Sequence, residues 1–529
     1  MSEQVYLKSS TKMEPLSARW YAWSHLISPV QHAMNMTFRH TPMFQSFIAN
    51  AAVHEAASSN PKMLGGSFME LKKTDLPSVK NLFQQTQGSH GHLIRFAEAL
   101  VGLDRQLQGE KGFSLDHVYE NLPANLAGLV EVSYDVNNHP GLRVLEELAY
   151  EGDLCNRATQ EMSFIGIRDE ERNFFLNTPR LPSESRLIVQ LPFQDGRVDL
   201  LAKARTEAVS FDELVRALEI APEQRGQFRD YFTDQPPERN APDFDGDGIR
   251  LRYFGHACVL IQTRDVSVMI DPFLTWDDDY QGDDHLCFND LPDRIDYVFL
   301  THNHQDHFSP ELLLQLRKRI GRILVPRNNP HNVADPSMRL ALRALGFDNV
   351  DVMDWMDSIA ISGGAITSVP FYGEHADLSI VSKHGMHLRL LDRTFLFLAD
   401  SDCKDRALYQ RVVSRMGKVD TLFIGMECDG APLTWLYGSY LSNPINRKDD
   451  GSRRLSGSDA ARAQAIAEEF GCSKAYVYAM GQEPWMRFVA GLQYTPQSKQ
   501  IVESNKFVQA CLDSGVESER LYGCRTMSF

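Results

Sequence analysis

No two of the eight cysteines (Cys155, Cys258, Cys287, Cys403, Cys428, Cys472, Cys511 and Cys524) stand as a CxxC pair. Clustered cysteines mark disulfide frameworks and zinc ribbons, so this usage points instead to separate buried thiols in a reducing cytoplasm. Long apolar runs are missing too. No stretch of 18 apolar residues occurs, so no membrane-spanning helix is expected. Residues 1–36 are broken by Lys8, Lys12, Glu14, Arg19, His25 and Pro29, which leaves no apolar core for a signal peptide. Basic residues are in the minority, with Lys+Arg 54 against Asp+Glu 70 and a formal net charge of −16. Such a surface repels phosphate backbones and anionic lipid, which sets nucleic acid and membranes aside as partners. No repeat or low-complexity tract of useful length is present.

The chain of 529 residues, 43% hydrophobic and 10% aromatic, is too long for one ordinary core, and two domains are expected. A stretch rich in Pro, Gly and Asp at residues 233–248 is the clearest linker and separates a region 1–240 from a region 245–529. Within it Asp243, Asp245, Asp247 and Gly248 imitate the start of a calcium-binding loop, but Phe254 stands where the bidentate Glu belongs, so a solvated turn is expected. Upstream the pattern is mixed α+β. Ser210 and Glu213 form a capping box before an amphipathic run through Leu214, Leu218 and Ile220. Trp20, Tyr21, Trp23, His25, His32 and His40 read as packing or subunit-contact residues, and nothing catalytic is visible there.

Downstream the pattern becomes α/β. Ile249, Leu251 and Tyr253 alternate with Arg250 and Arg252 as a half-buried strand, followed by strand-like runs at 258–262, 266–270 and 294–300. The last runs straight into THNHQDHFS at 301–309, where Ser309 caps a helix with Pro310 at its first position. A strand-to-helix loop at a sheet edge leaves side chains convergent. His302 and His304 alternate toward one metal, and Asp306 and His307 reach a second. Further ligands must come from later strand ends. The run 365–371 delivers Gly373-Glu374-His375, and 394–399 delivers Asp400. An Asp at the tip of a buried apolar strand is expensive unless it meets cations, so Asp400 is the natural bridge between the two metals.

This pattern resembles the metallo-β-lactamase-type hydrolases, with a departure. Those usually place a His at the third ligand position and another near the domain's end. Here Glu374 competes with His375 for the third position, and the last histidine of the chain is His387, so the second metal is one imidazole short. Asp306, Glu374 and Asp400 bring three negative charges, which two divalent metals would leave at about +1. An oxygen-rich set with open positions suits iron that binds O2 better than zinc that only activates water.

The combination of THNHQDHFS with FYGEHADLS at 371–379, FLADSD at 397–402 and GMECDGAPLTWLYG at 425–438 is similar to the metallo-β-lactamase-fold diiron β-hydroxylases of nonribosomal peptide pathways. The resemblance implies a C-terminal αββα metallo-β-lactamase fold behind an N-terminal α+β domain that serves in dimerisation or carrier docking. It implies two iron ions with O2 as co-substrate. His302, His304 and Glu374 would ligate one iron and Asp306 and His307 the other, with Asp400 bridging. Glu374 and Glu427 would be the catalytic carboxylates, Glu427 standing just behind the ligands. Asp271 would organise the loop. His375, facing away if the segment is extended, would be structural, and Trp435, Tyr437 and Tyr440 are candidates for a pocket wall. The implied partners are an aminoacyl-loaded carrier domain of a peptide synthetase, an external electron donor and a second copy of the chain. The competing reading is a dinuclear zinc or manganese hydrolase of lactonase or phosphodiesterase type.

Overall fold

The computed structural model describes residues 3–239, 242–277 and 285–529. Past the linker the chain folds into two seven-stranded sheets packed face to face. The first runs Val350–Met353, Ile320–Pro326, Ile295–Phe299, Ser267–Ile270, Val259–Gln262, Arg250–Tyr253 and Arg525–Ser528. Its first four strands are parallel. Parallel pairing needs crossovers, and the helices Pro310–Leu316 and Met338–Ala344 supply two of the three on the outer face. Being covered on both faces, these strands are continuous apolar runs such as Val298-Phe299-Leu300 and Ile323-Leu324-Val325, all fully buried.

The second sheet runs Ser358–Ile361, Gly364–Val369, Gly385–Leu390, Arg393–Phe397, Thr421–Gly425, Lys474–Tyr478 and Glu517–Arg520. Leu251, Val259, Val268 and Phe299 of the first sheet share a core with Ile366, Leu388, Phe397 and Phe423 of the second. Helices Arg406–Met416, Ala460–Phe470 and Lys499–Asp513 cover the outer face of the second sheet. The result is the expected helix–sheet–sheet–helix sandwich.

The N-terminal region combines the long helix Leu76–Leu107 with a four-stranded sheet of Trp20–Tyr21, Lys12–Ser17, Gln160–Ile165 and Arg186–Gln190. It docks on the outer helical layer of the first sheet, where Val5, Leu7, Phe211 and Phe228 join one core with Leu312, Leu313 and Leu316. A buried charge network fastens the join. Glu14 accepts from Arg172 at 2.9 Å and pairs with Arg180 at 3.3 Å and with Arg186. The same Arg172 reaches Glu311 at 2.6 Å. Glu311 lies in the helix that follows the histidine motif, so the N-terminal sheet is tied to the element that shapes the motif loop.

Two expectations are refined and a third holds. Arg252 is buried, not solvated, because its guanidinium donates to Pro242 O and Gln262 Oε1. The helix capped by Ser210 is Phe211–Ala217, shorter than its amphipathic run, because Glu219 turns left-handed (φ 54°) and Ile220 N bonds back to Val215 O. The aspartates of the linker form a turn, with Asp247 paired to Arg264 at 2.9 Å and 96% exposed. No described helix is long and apolar enough to cross a membrane. No disulfide joins the cysteines among the described residues.

Candidate metal centre

Asp271, at the end of strand Ser267–Ile270, organises the motif loop. Its carboxylate accepts from Thr301 N at 2.7 Å, Thr301 Oγ1 at 2.6 Å and His307 Nδ1 at 2.8 Å. Those bonds settle two tautomers. His307 donates Nδ1–H to Asp271, which leaves the Nε2 lone pair for a metal. Thr301 has spent its proton on Asp271, so its oxygen accepts from His302 Nδ1 at 3.0 Å and His302 Nε2 is likewise a lone pair.

Asp400 meets both lone pairs. Its Oδ2 lies 3.2 Å from His307 Nε2 and 3.6 Å from His302 Nε2. Gly425 on the neighbouring strand leaves it room, since a Cβ there would stand 2.7 Å from Asp400 Oδ1. His304 faces Glu374 Oε1 with Nδ1 at 3.0 Å and Tyr437 Oη with Nε2 at 2.7 Å. Three overlapping triads place their ligand atoms within 4.8 Å of one another: His302/His304/Glu374, His302/His307/Asp400 and His256/Asp306/His307.

The donor set fits cations and little else. His302 Nε2, His307 Nε2, Glu374 Oε2 and Asp400 Oδ1 are all buried without a hydrogen-bond partner among the described residues. Each such atom costs on the order of 1–3 kcal/mol if left bare. Burial disfavours the charged forms, and at His307 and Asp306 the neighbours outweigh it. His307 is raised well above the ordinary imidazole range, burial being outweighed by Asp400, Asp306 and Asp271. Asp306 is held well below the carboxylate range, because His307 and His256 outweigh its burial. Glu374 is pushed up by burial, with His304 opposing.

Glu427 follows strand Thr421–Gly425 and belongs to none of the triads. It accepts from Tyr494 Oη at 3.1 Å, and burial beside Asp400, Asp306 and Glu374 raises it well above the carboxylate range. A cavity of about 290 Å³ opens onto His304, Asp306, Glu374 and Glu427 and is walled by Trp435 and by Leu64, Gly65 and Gly66 of the N-terminal region. Trp435 therefore lines the cavity, donating its indole N–H to Gly65 O at 2.9 Å, whereas Tyr437 supports His304 and Tyr440 bonds His25 Nδ1 at 2.6 Å.

His375 does not face away. The segment is not extended: Glu374 has φ 70° and Ala376 φ 51°, so the alternation of a strand is lost. Its ring packs 4.6 Å from that of His304 and 5.6 Å from that of His302, with both nitrogens unpartnered among the described residues. Sequence reasoning missed His256, which stands in the turn before strand Val259–Gln262 with Nε2 3.3 Å from Asp306 Oδ2. A lone His in a Gly-His-Ala turn offers no local signal. The N-terminal wall was invisible for the same reason, since Leu64–Gly66 meet the centre only in three dimensions.

A sequence model described as the diiron non-heme beta-hydroxylase N-terminal domain matches residues 6–236, and a beta-lactamase superfamily domain matches residues 250–400. The chain is 34% identical over 528 residues to 4-amino-L-phenylalanyl-[CmlP-peptidyl-carrier-protein] 3-hydroxylase of Streptomyces venezuelae, covering 98% of this chain and 99% of that protein. It resembles the crystal structure of CmlA, a diiron beta-hydroxylase from Streptomyces venezuelae, with TM-score 0.93, 34% identity and 100% of both chains covered. A more distant likeness, 26% over 127 residues, spans 24% of this chain and 50% of a UPF0173 protein of Pyrococcus abyssi. With similarity running end to end and a carboxylate-rich dinuclear site behind it, the chain belongs to the diiron non-heme β-hydroxylases.

Proposed function

We propose that the protein hydroxylates the β-carbon of an amino acid held as a thioester on the carrier domain of a peptide synthetase, using O2 and electrons from an external donor. The end-to-end similarity to a hydroxylase named for a carrier-bound aminoacyl substrate carries this reading. A C–H bond at Cβ is too weakly acidic for any side-chain base, so the step needs an oxidant that two iron ions and O2 supply.

The chain's own residues bind, orient and protect. We assign His302, His304 and Glu374 to one iron, Asp306 and His307 to the other, and Asp400 as the bridge. Asp271 and Thr301 fix the two imidazoles whose Nε2 atoms face Asp400. Glu374 lies on the cavity side of the centre, where it can close a coordination position until the substrate enters. Such gating has a chemical motive, because oxidant made without substrate would damage the protein. Binding energy from the carrier, remote from Cβ, can drive the opening. Glu427, held by Tyr494 and pushed above the ordinary carboxylate range by burial, is placed to give a proton.

On this reading residues 245–529 form the catalytic domain, and residues 1–240 wall the cavity, dock the carrier and pair two copies of the chain. Separate thiols with no disulfide among the described residues support a reducing cytoplasm as the enzyme's compartment. Intact mass spectrometry of an aminoacyl carrier treated with reduced enzyme should show a gain of one oxygen, roughly 16 Da, drawn from ¹⁸O2. Label arriving from water would favour hydrolytic chemistry, and equal turnover of the free amino acid would remove the carrier's role.

A further inference from the structure

His256 completes a triad with Asp306 and His307, so it presents itself as the imidazole that the second metal position lacks. Its other nitrogen argues differently. The backbone N–H of Gly481 points at His256 Nδ1 across 3.1 Å. A backbone N–H can only donate, so Nδ1 is an acceptor and the neutral ring carries its proton on Nε2. That nitrogen stands 3.3 Å from Asp306 Oδ2, in contact with the carboxylate but short of hydrogen-bond geometry among the described residues. His302 and His307 have the opposite arrangement, each spending Nδ1–H on an acceptor and keeping Nε2 bare. Ligation through His256 Nε2 would force the proton onto Nδ1, where it would meet the Gly481 donor head on.

The surroundings hold His256 in this state. Its backbone is left-handed (φ 47°), its N–H donates to Glu483 Oε1 at 3.0 Å and its carbonyl accepts from Ala479 N at 2.8 Å. Tyr253 Oη also donates to Glu483 Oε1, at 2.8 Å. All of these partners except Tyr253 come from the segment after strand Lys474–Tyr478, the late strand end that carries no histidine of its own. The segment brings no ligand to the centre and instead holds one imidazole in a chosen tautomer.

We infer that His256 is a positioning residue, whose Nε2–H orients the Asp306 carboxylate toward the second metal and which does not itself ligate. The inference rests on the metal assignment proposed above. It is tested by His256→Gln, which can still offer an N–H to Asp306, against His256→Leu, which cannot. The readouts are iron per chain, the rate of iron release to a chelator and the number of imidazoles coupled to the mixed-valent centre by pulsed EPR.

Wild type and His256→Gln should show the same imidazole count and iron release within about threefold, while His256→Leu should release iron roughly 10–100-fold faster. One imidazole fewer in His256→Gln would make His256 a ligand and overturn the inference. So would an unchanged release rate in His256→Leu, or equal weakening of both variants. If His256→Leu fails to fold, the imidazole count in His256→Gln still decides. Wild-type protein that takes up no iron at all would refute the diiron assignment instead.

Discussion

Thr301 and Asp271 decide which nitrogen of His302 and His307 is free, and both free nitrogens converge on Asp400 Oδ2. A carboxylate so placed can serve two cations at once, the bridge proposed above. Asp400→Ala should therefore lose both irons or nearly so, because the mutual repulsion of the ions is then uncompensated. Glu374→Ala should weaken one site and retain at least half the iron. Elemental analysis of both variants checks the pair, and full iron content in Asp400→Ala would contradict the bridge. At this scale the sequence is readable where the clustered side chains are consecutive or end a strand, as with His302, His304, Asp306, His307 and Asp400. It is unreadable where the backbone leaves the regular regions. The left-handed Glu374 turns His375 toward the ligands, and the left-handed His256 meets Asp306 only through the fold.

Strands are the easiest elements to anticipate, because runs such as residues 297–300 and 395–399 are apolar and lead straight into polar site residues. The helix after the motif was equally plain. Ser309 accepts from Leu312 N, and Pro310 fills the first position. Ser309→Ala should cost about 1 kcal/mol in denaturant unfolding. A helix contact between the two regions gives a pH dependence. Glu146, at the start of helix Glu146–Glu151, accepts from Ser337 N at 3.0 Å and is pushed up to about 7 by burial, with Asp335 adding to the shift. Asp335 is itself raised to about 6 by burial. Between the ordinary carboxylate range and these values the folded protein holds protons that the unfolded chain has released. Stability should therefore fall as pH rises from about 4.5 to about 7 through Glu146. Glu146→Gln should flatten this slope, by on the order of 1 kcal/mol for a half-buried group. Urea midpoints at three pH values across the window measure it, and an unchanged slope would show that Glu146 does not carry the effect.

Across the whole molecule the decisive contacts are long-range, which is why the N-terminal region reads as inert in sequence. Glu14 and Glu311 share Arg172, and Gly65 closes the cavity against Gly491. Gly65 has φ 68°, and a Cβ there would stand 3.2 Å from Gly491 O. Gly65→Val should therefore lower kcat/KM for a carrier-bound substrate by roughly tenfold while iron content stays at the wild-type level. A parallel loss of iron would place Gly65 in the metal site's support instead of the substrate wall. The oxygenase chemistry depends on a ligand set rich in carboxylate and short of imidazole preferring iron to zinc. Elemental analysis of wild-type protein, produced in medium supplied with both metals, tests that preference directly. About two irons per chain is the predicted result. Stoichiometric zinc without iron, and no activity gained on reconstitution with iron(II), would contradict it.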